Sequence, residues 1–128
     1  MEAGPGADAA SLRAGVELFN AGRYLAAHEL FEELWEGTEG RDSDFYKGLV
    51  QAAIALHHFE RGNLEGAAQL HGGLRRCLAG YLPAHGGLDL AAFLADMQTC
   101  LTPILRCAPG SAVAFDLEQR PRLVFRPD

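Results

Sequence analysis

The chain of 128 residues lacks the features that mark several classes of protein. It has 11 basic residues against 17 acidic ones, the basic residues are scattered, and the formal net charge is −6. Because nucleic-acid binding depends on clustered lysine and arginine, this composition predicts no nucleic-acid partner. No apolar run approaches the roughly 18 to 20 residues of a membrane-spanning helix, and residues 1–10 do not resemble a secretion signal. We therefore expect a cytoplasmic protein without a membrane partner.

Cysteine is scarce, and its spacing argues against two common kinds of framework. Cys77, Cys100 and Cys107 are odd in number and form no Cys-x-x-Cys pair, so neither a disulfide framework nor a zinc site of thiolates is predicted. Reduced thiols agree with a cytoplasmic location. The chain also lacks a Gly-x-Ser-x-Gly motif and a phosphate-binding glycine loop ahead of a helix, so neither a serine nucleophile nor a nucleotide is indicated.

What the chain does contain is apolar residues at helical spacing, in five segments separated by glycine, asparagine or proline. The expected helices run from Asp8 or Ser11 to Asn20, from about Arg23 to Glu36, from Ser43 to about Arg61, from Leu64 to about Tyr81, and from Asp89 to Pro103, which kinks or ends the last one. Residues 82–87 are expected to form a loop. We expect residues 1–7 to be disordered, residues 8–107 to form the helical domain, and residues 108–128 to form an extended tail packed on it.

A pattern of five residues recurs after an interval of 40 residues. The first set is Phe19, Gly22, Ala27, Leu30 and Leu34, and the second is Phe59, Gly62, Ala67, Leu70 and Leu74. In both, a glycine turn joins two helices and a small residue falls where they cross. This resembles the helix–turn–helix unit of tetratricopeptide-like repeats, whose period is about 34 residues. The predicted fold is a single compact all-α bundle of about five helices, with two such hairpins packed around the third helix.

The polar residues of the second helix do not take part in this repetition. His28 and Glu32 lie one helical turn apart on one face, with Trp35 beside them; the equivalent positions 68 and 72 hold alanine and glycine. An imidazole and a carboxylate at this spacing can chelate one divalent ion, but two ligands are too few for a stable site. The asymmetry favours a special role for this stripe.

The third helix offers further ligands. Gln51 and His58 share one of its faces with small residues that let another helix approach. If the second and third helices form an antiparallel hairpin, these side chains could meet His28 and Glu32. The candidate metal site is therefore His28, Glu32 and His58, holding zinc, manganese or iron.

Four neighbours would support this site. Trp35 would close it off from solvent, and Gln51 would orient a ligand, while Glu29 and His57 lie at its rim. His57 points about 100° away from His58 on a helix, although the two could exchange roles. His71 and His85 have no partners at ligand spacing and are expected at the surface.

The string His28-Glu29-x-x-Glu32 invites comparison with the HExxH motif of zinc proteases. Glu32 occupies the position of the second histidine, which binds the metal in the proteases, so the sequence does not favour a zinc protease. If the protein is an enzyme, a metal-dependent hydrolase that uses a metal-bound water is the first guess. The Glu-x-x-His spacing of di-iron bundles is absent.

Several blocks of the chain, in order, resemble a known family. The run from Phe19 to Trp35 contains HxxxExxW, met by His28, Glu32 and Trp35, and it is followed by similar blocks at residues 45–51 and 57–63. Together they resemble domain-of-unknown-function family 309, small helical proteins of bacteria and archaea, over about residues 12–100. The resemblance implies an all-helical fold and a metal-binding role for HxxxExxW. Ala26 departs from the family, where many relatives carry an acidic residue.

Two functions stay open from the sequence. In the first, the protein has a polar His/Glu site between helices that binds a divalent metal. In the second, the His/Glu/Trp motif is structural, its polar groups satisfy one another within a helical interface, and the protein is a repeat-like module that binds a protein partner or a second copy of itself.

Overall fold

Each helix packs chiefly against the helix next to it in the sequence. The computed structural model describes residues 5–108, 110 and 112–126, and within these ranges it contains five α-helices: α1 Pro5–Asn20, α2 Tyr24–Glu36, α3 Ser43–Glu60, α4 Leu64–Ala79 and α5 Leu90–Arg106. The packing joins α1 to α2, α2 to α3, α3 to α4 and, less extensively, α4 to α5. The predicted all-α bundle of neighbouring helices is confirmed.

The turns of the two helical hairpins have the same geometry. Gly22 between α1 and α2 has a φ of 81°, and Gly62 between α3 and α4 has a φ of 83°. In each turn the glycine amide donates to the carbonyl three residues earlier, at 3.0 Å. The following amide donates to the carbonyl five residues earlier, at 2.9 Å in the first turn and 2.8 Å in the second. This is the Schellman motif, which places glycine in the left-handed region, so the sequence repetition corresponds to a structural one.

Helix α3 is buried on more than one side because α2 and α4 both pack on it. Its buried residues include Phe45, Tyr46, Leu49, Val50, Ala52, Ala53, Ala55, Leu56 and Phe59. The contact with α4 is especially close: a Cβ added at Gly48 would lie 2.6 Å from Cγ of Leu78. The prediction that the third helix is central is confirmed.

The start of α1 differs from that predicted, and Pro103, which was predicted to kink or end the last helix, does not end it. Helix α1 begins at Pro5 and not at Asp8 or Ser11, because proline is well suited to a first helical position; residues 1–4 of the segment expected to be disordered lie outside the described residues. Helix α5 continues past Pro103 to Arg106, where buried Ile104 anchors its last turn in the core.

The expected loop at residues 82–87 contains a small β-hairpin. Strand β1, Ala84–His85, pairs antiparallel with β2, Leu88–Asp89. Gly86 and Gly87 have φ angles of 59° and 80°, which is the pattern of a tight hairpin turn with positive φ at both central positions.

The C-terminal tail crosses the bundle and joins this hairpin. Phe125 forms an isolated antiparallel bridge with Leu88. Leu123 is buried, and its backbone exchanges two hydrogen bonds of 2.8 Å with the Asn20 side chain. Apart from a short 3-10 helix at Leu117–Gln119 and the bridge at Phe125, the described part of the tail has no regular secondary structure.

One apolar core connects all these elements, and its largest fully buried side chains include Phe19, Tyr24, Phe31, Phe45 and Phe93. Of the helices in the described part of the chain, none has the length and apolar character needed to cross a membrane.

Candidate functional site

The first candidate site is the pair formed by His28 and Glu32 on α2. Nε2 of His28 lies 3.0 Å from Oε2 of Glu32, and 20% of the histidine side chain and 40% of the glutamate side chain are exposed. Since Nε2 faces a carboxylate, it carries the proton and donates. The other ring nitrogen, Nδ1, is buried and has no hydrogen-bond partner among the described residues.

The sequence of α2 determines how this pair is presented. Its core face consists of Tyr24, Ala27, Phe31 and Leu34, all of them buried. Position 28 lies beside that face and position 32 farther from it, because each residue advances 100° around a helix. The imidazole is therefore half-buried at the edge of the core, with its carboxylate partner toward solvent.

Trp35 is partly buried and packs against the core. Nζ of Lys47, on α3, lies 5.9 Å from the centroid of the tryptophan ring, which is within the range of a cation–π interaction. Trp35 thus links the end of α2 to the beginning of α3. Whether it shields a bound ligand stays a prediction.

Gln51 and His58 turn toward α4 and not toward the His28–Glu32 pair. A Cβ at Gly73 would lie 2.9 Å from Oε1 of Gln51, and a Cβ at Gly66 would lie 3.0 Å from Cδ2 of His58. The face of α3 that carries small residues is therefore its contact with α4. The sequence correctly identified a close helical interface but assigned it to the wrong neighbouring helix.

Glu29 and His57, expected only at the rim, face a common cleft. This cavity of about 370 Å³ lies where α2 and α3 meet and is also lined by Tyr24 and Glu60. Nδ1 of His57 lies 3.9 Å from Oε1 of Glu60. Of the two adjacent histidines, His57 is thus the one that shares a surface with α2.

The buried hydroxyl of Tyr24 has no hydrogen-bond partner among the described residues. Desolvation raises its pKa to about 12; the charge of Arg120 opposes this shift, and the charge of Glu60 adds to it. Tyr24 therefore stays neutral over the physiological range of pH.

In the described part of the chain, no three His, Cys, Asp or Glu side chains are grouped so that they could hold a metal ion. His28 and Glu32 supply two donor atoms, and the predicted third ligand, His58, has its contacts with Asn63 and Gly66.

The structure also contains a histidine–carboxylate pair that the sequence did not indicate. Nε2 of His85 lies 2.9 Å from Oδ1 of Asp42, 43 residues away in the chain. The expectation that His85 is an unpartnered surface residue is wrong. Its position directly before Gly86-Gly87 could have predicted a hairpin, but no local pattern indicates contact with Asp42.

His71 was also expected at the surface, and this is wrong as well. Its residue is only 5% exposed, because position 71 falls on the core face of α4 with Ala67, Leu74 and Leu78. Desolvation, with a smaller effect of Arg75, lowers its pKa below the usual value. His71 is therefore a neutral core histidine at pH 7.

Comparison with known proteins gives a match to one family model over part of the chain, and no activity. Residues 12–70 match the model of the family described as "Domain of unknown function (DUF309)". A relative from Aquifex aeolicus (strain VF5), named "Uncharacterized protein", is 42% identical over 45 residues, which are 34% of this chain and 14% of that relative. The chain therefore matches a small part of that relative's length.

Proposed function

Residues 12–70 match the DUF309 family model, and we propose that the protein binds a divalent cation at the His28–Glu32 pair. The observation that carries the proposal is the geometry of the pair: Nε2 lies 3.0 Å from Oε2 of Glu32, and both side chains are partly exposed. A cation bound by these two atoms would replace the proton on Nε2, and the ring proton would then lie on Nδ1.

The donor set suits zinc, manganese or iron. Imidazole nitrogen and carboxylate oxygen are common ligands of these metals, and the partial exposure of both side chains leaves them accessible from solvent. Two protein donors leave coordination positions for water or for a second molecule. When bound, such an ion supplies Lewis acidity and an acidic water, the basis of metal-dependent hydrolysis.

The direct test uses protein purified without a nickel column. Elemental analysis and calorimetric titration with zinc, manganese and ferrous iron should give one bound ion per chain, or one per two chains where two copies share the ion. Glu32→Gln should weaken binding roughly tenfold or more, by analogy with the effect of altered metal-site carboxylates. Glu33→Gln is the matched control, because it makes the same change of charge at the adjacent, exposed position.

Two outcomes would count against the metal proposal. The first is a wild-type protein that binds none of the three ions above the level of a chelator-treated blank. The second is metal content that stays unchanged in His28→Ala. Circular dichroism of each variant would establish that a loss of binding is not a loss of fold.

A second candidate function is self-association or binding to a protein partner through the helical array. It is favoured by large apolar side chains that remain exposed on the tail, Leu117 at 66% and Val124 at 54%. Light scattering over a range of concentrations should then show a mass above that of one chain, and Leu117→Ser should lower it. A mass of one chain at every concentration would contradict self-association.

The two candidates can also act together. Two copies would contribute two histidines and two glutamates, which is a full tetrahedral set for zinc. In that case the mass should rise on addition of zinc and fall with a chelator, and Glu32→Gln should abolish the zinc effect while Glu33→Gln retains it.

A further inference from the structure

A polar cleft of about 520 Å³ lies where the start of α3, the end of α4 and the β1–β2 hairpin meet. Its lining includes Arg41, Asp42, Asp44, Arg76, Tyr81 and His85. The volume falls within the usual range for sites that bind small molecules. None of these residues belongs to the His28–Glu32 site, so binding of a ligand in this cleft does not require a metal ion at that site.

Asp42 pairs with a side chain of this cleft and does not cap its own helix. It occupies the N-cap position of α3, but its side chain makes no capping hydrogen bond, although aspartate is among the best capping residues. Its carboxylate oxygen instead lies 2.9 Å from Nε2 of His85. Departures from a local rule of this kind are concentrated at functional sites.

The imidazole of His85 is fixed by aromatic rings. Its centroid lies 4.7 Å from that of Phe45 and 4.7 Å from that of Tyr81, and these two rings are themselves in contact. The Tyr81 hydroxyl donates to the backbone carbonyl of Arg41. The same cluster thereby positions the histidine and the chain segment that carries Arg41 and Asp42.

The charges that line the cleft favour an anion that also carries hydrogen-bond donors. Arg41 and Arg76 make no ion pair within 4.0 Å with any described carboxylate, so both guanidinium groups are free to bind a ligand. Guanidinium groups bind phosphate through paired hydrogen bonds. Asp44 lines the same cleft and can accept hydrogen bonds from ligand hydroxyl groups.

We propose that this cleft binds a small phosphate ester through Arg41 and Arg76, with His85 pairing the Asp42 carboxylate, which would otherwise repel the ester. A phosphate monoester is largely a dianion at neutral pH, so it can pair with both guanidinium groups, whereas a carboxylate carries a single charge. The organic part of the ester faces Asp44 and the Tyr81 side of the cleft.

The test is a nuclear magnetic resonance titration of the full chain with glycerol 3-phosphate at constant ionic strength. Saturable shifts are expected at the amides of Arg41, Tyr81 and the β1–β2 hairpin, with a dissociation constant in the millimolar range. Arg76→Gln should weaken binding roughly tenfold, as expected for the loss of a charge-assisted hydrogen bond. Arg75→Gln, its neighbour outside the cleft lining, should change the constant less than about twofold, since it removes the same charge at a screened distance.

A further variant and two control ligands decide the outcome. His85→Asn should weaken binding while keeping a well-dispersed spectrum, and glycerol should cause no saturable shift. The proposal is overturned if glycerol 3-phosphate does not saturate at tens of millimolar, or if Arg75→Gln weakens it as much as Arg76→Gln does. Acetate that binds as tightly as the ester would overturn the assignment to phosphate.

Discussion

Two of the histidine–carboxylate pairs in the described part of the chain have nearly equal lengths and different origins. His28 and Glu32 lie 3.0 Å apart within one helix, at i and i+4. His85 and Asp42 lie 2.9 Å apart but are separated by 43 residues of chain. The first pair requires only that α2 forms. The second requires the hairpin, α4 and the start of α3 to be in place, so its formation reports the tertiary fold.

The surroundings of the two rings differ accordingly. His28 leaves one buried nitrogen without a partner in the described residues, so the loss of water from that nitrogen is not compensated by a hydrogen bond. His85 contacts the rings of Phe45 and Tyr81. Its partner Asp42 lies at the N-cap of α3 but makes no capping hydrogen bond there. This difference indicates that His85 contributes to stability, whereas His28 is retained at little or no gain in stability.

The largest expected effect is that of His85→Ala on folding. The variant loses ring packing on Phe45 and Tyr81 and its bond to Asp42, and we expect a decrease of about 2 kcal/mol in the free energy of unfolding. Urea denaturation followed by circular dichroism measures this. His57→Ala is the control, because its pair with Glu60 is 3.9 Å long and lies within α3; it should change stability by less than about 0.5 kcal/mol. Equal effects of the two variants would contradict the distinction drawn between long-range and local pairs.

The fold could be predicted because it follows from local patterns. Gly22 and Gly62 marked two turns that have the same geometry. Asn63, directly before α4, is a residue type that favours helix caps, and its side chain accepts from the amide of Gly66 at 3.0 Å. Asp89 does the same for the amide of Ala92 at 3.0 Å. Each of these features depends on residues only a few positions apart.

The candidate site could be predicted only in its local part. The His28–Glu32 pair followed from helical spacing. The orientation of Gln51 and His58 did not, because a stripe of small residues shows that some helix comes close but not which one; Gly66 and Gly73 on α4 provide the space. The contact between His85 and Asp42 depends on how the end of α4 returns to the start of α3, which no periodic pattern encodes.

His71, which has no carboxylate partner among the described residues, differs from both pairs in how it makes stability depend on pH. Desolvation lowers the pKa of His71 in the folded protein, so the unfolded chain takes up the proton first as the pH falls. Stability due to neutral His71 is complete above the unfolded pKa of about 6.5 and is lost as the pH falls through the lower folded value.

The variant His71→Leu should therefore gain stability relative to the wild type as the pH falls from about 7.5 to about 5.5, since leucine carries no proton in either state. Urea denaturation at both pH values measures the difference, which we expect to be smaller than the effect of His85→Ala. Leu74→Ile is the control, because Leu74 is buried on the same face of α4 and carries no proton in either state. A stability difference for His71→Leu that does not change with pH would contradict the prediction.

The smallest expected effect on stability is that of His28→Ala. An exposed i, i+4 pair contributes about 0.3–0.5 kcal/mol, and alanine returns a similar amount through its higher helix propensity. Removing the buried nitrogen that has no partner offsets the rest, so the free energy of unfolding should stay within about 0.5 kcal/mol of the wild type. Zinc should then raise the melting temperature of the wild type but not that of the variant, because a ligand stabilises only the folded form that binds it. A loss comparable to that of His85→Ala, with no difference in the response to zinc, would make His28 a structural residue and would remove the contrast between the two pairs.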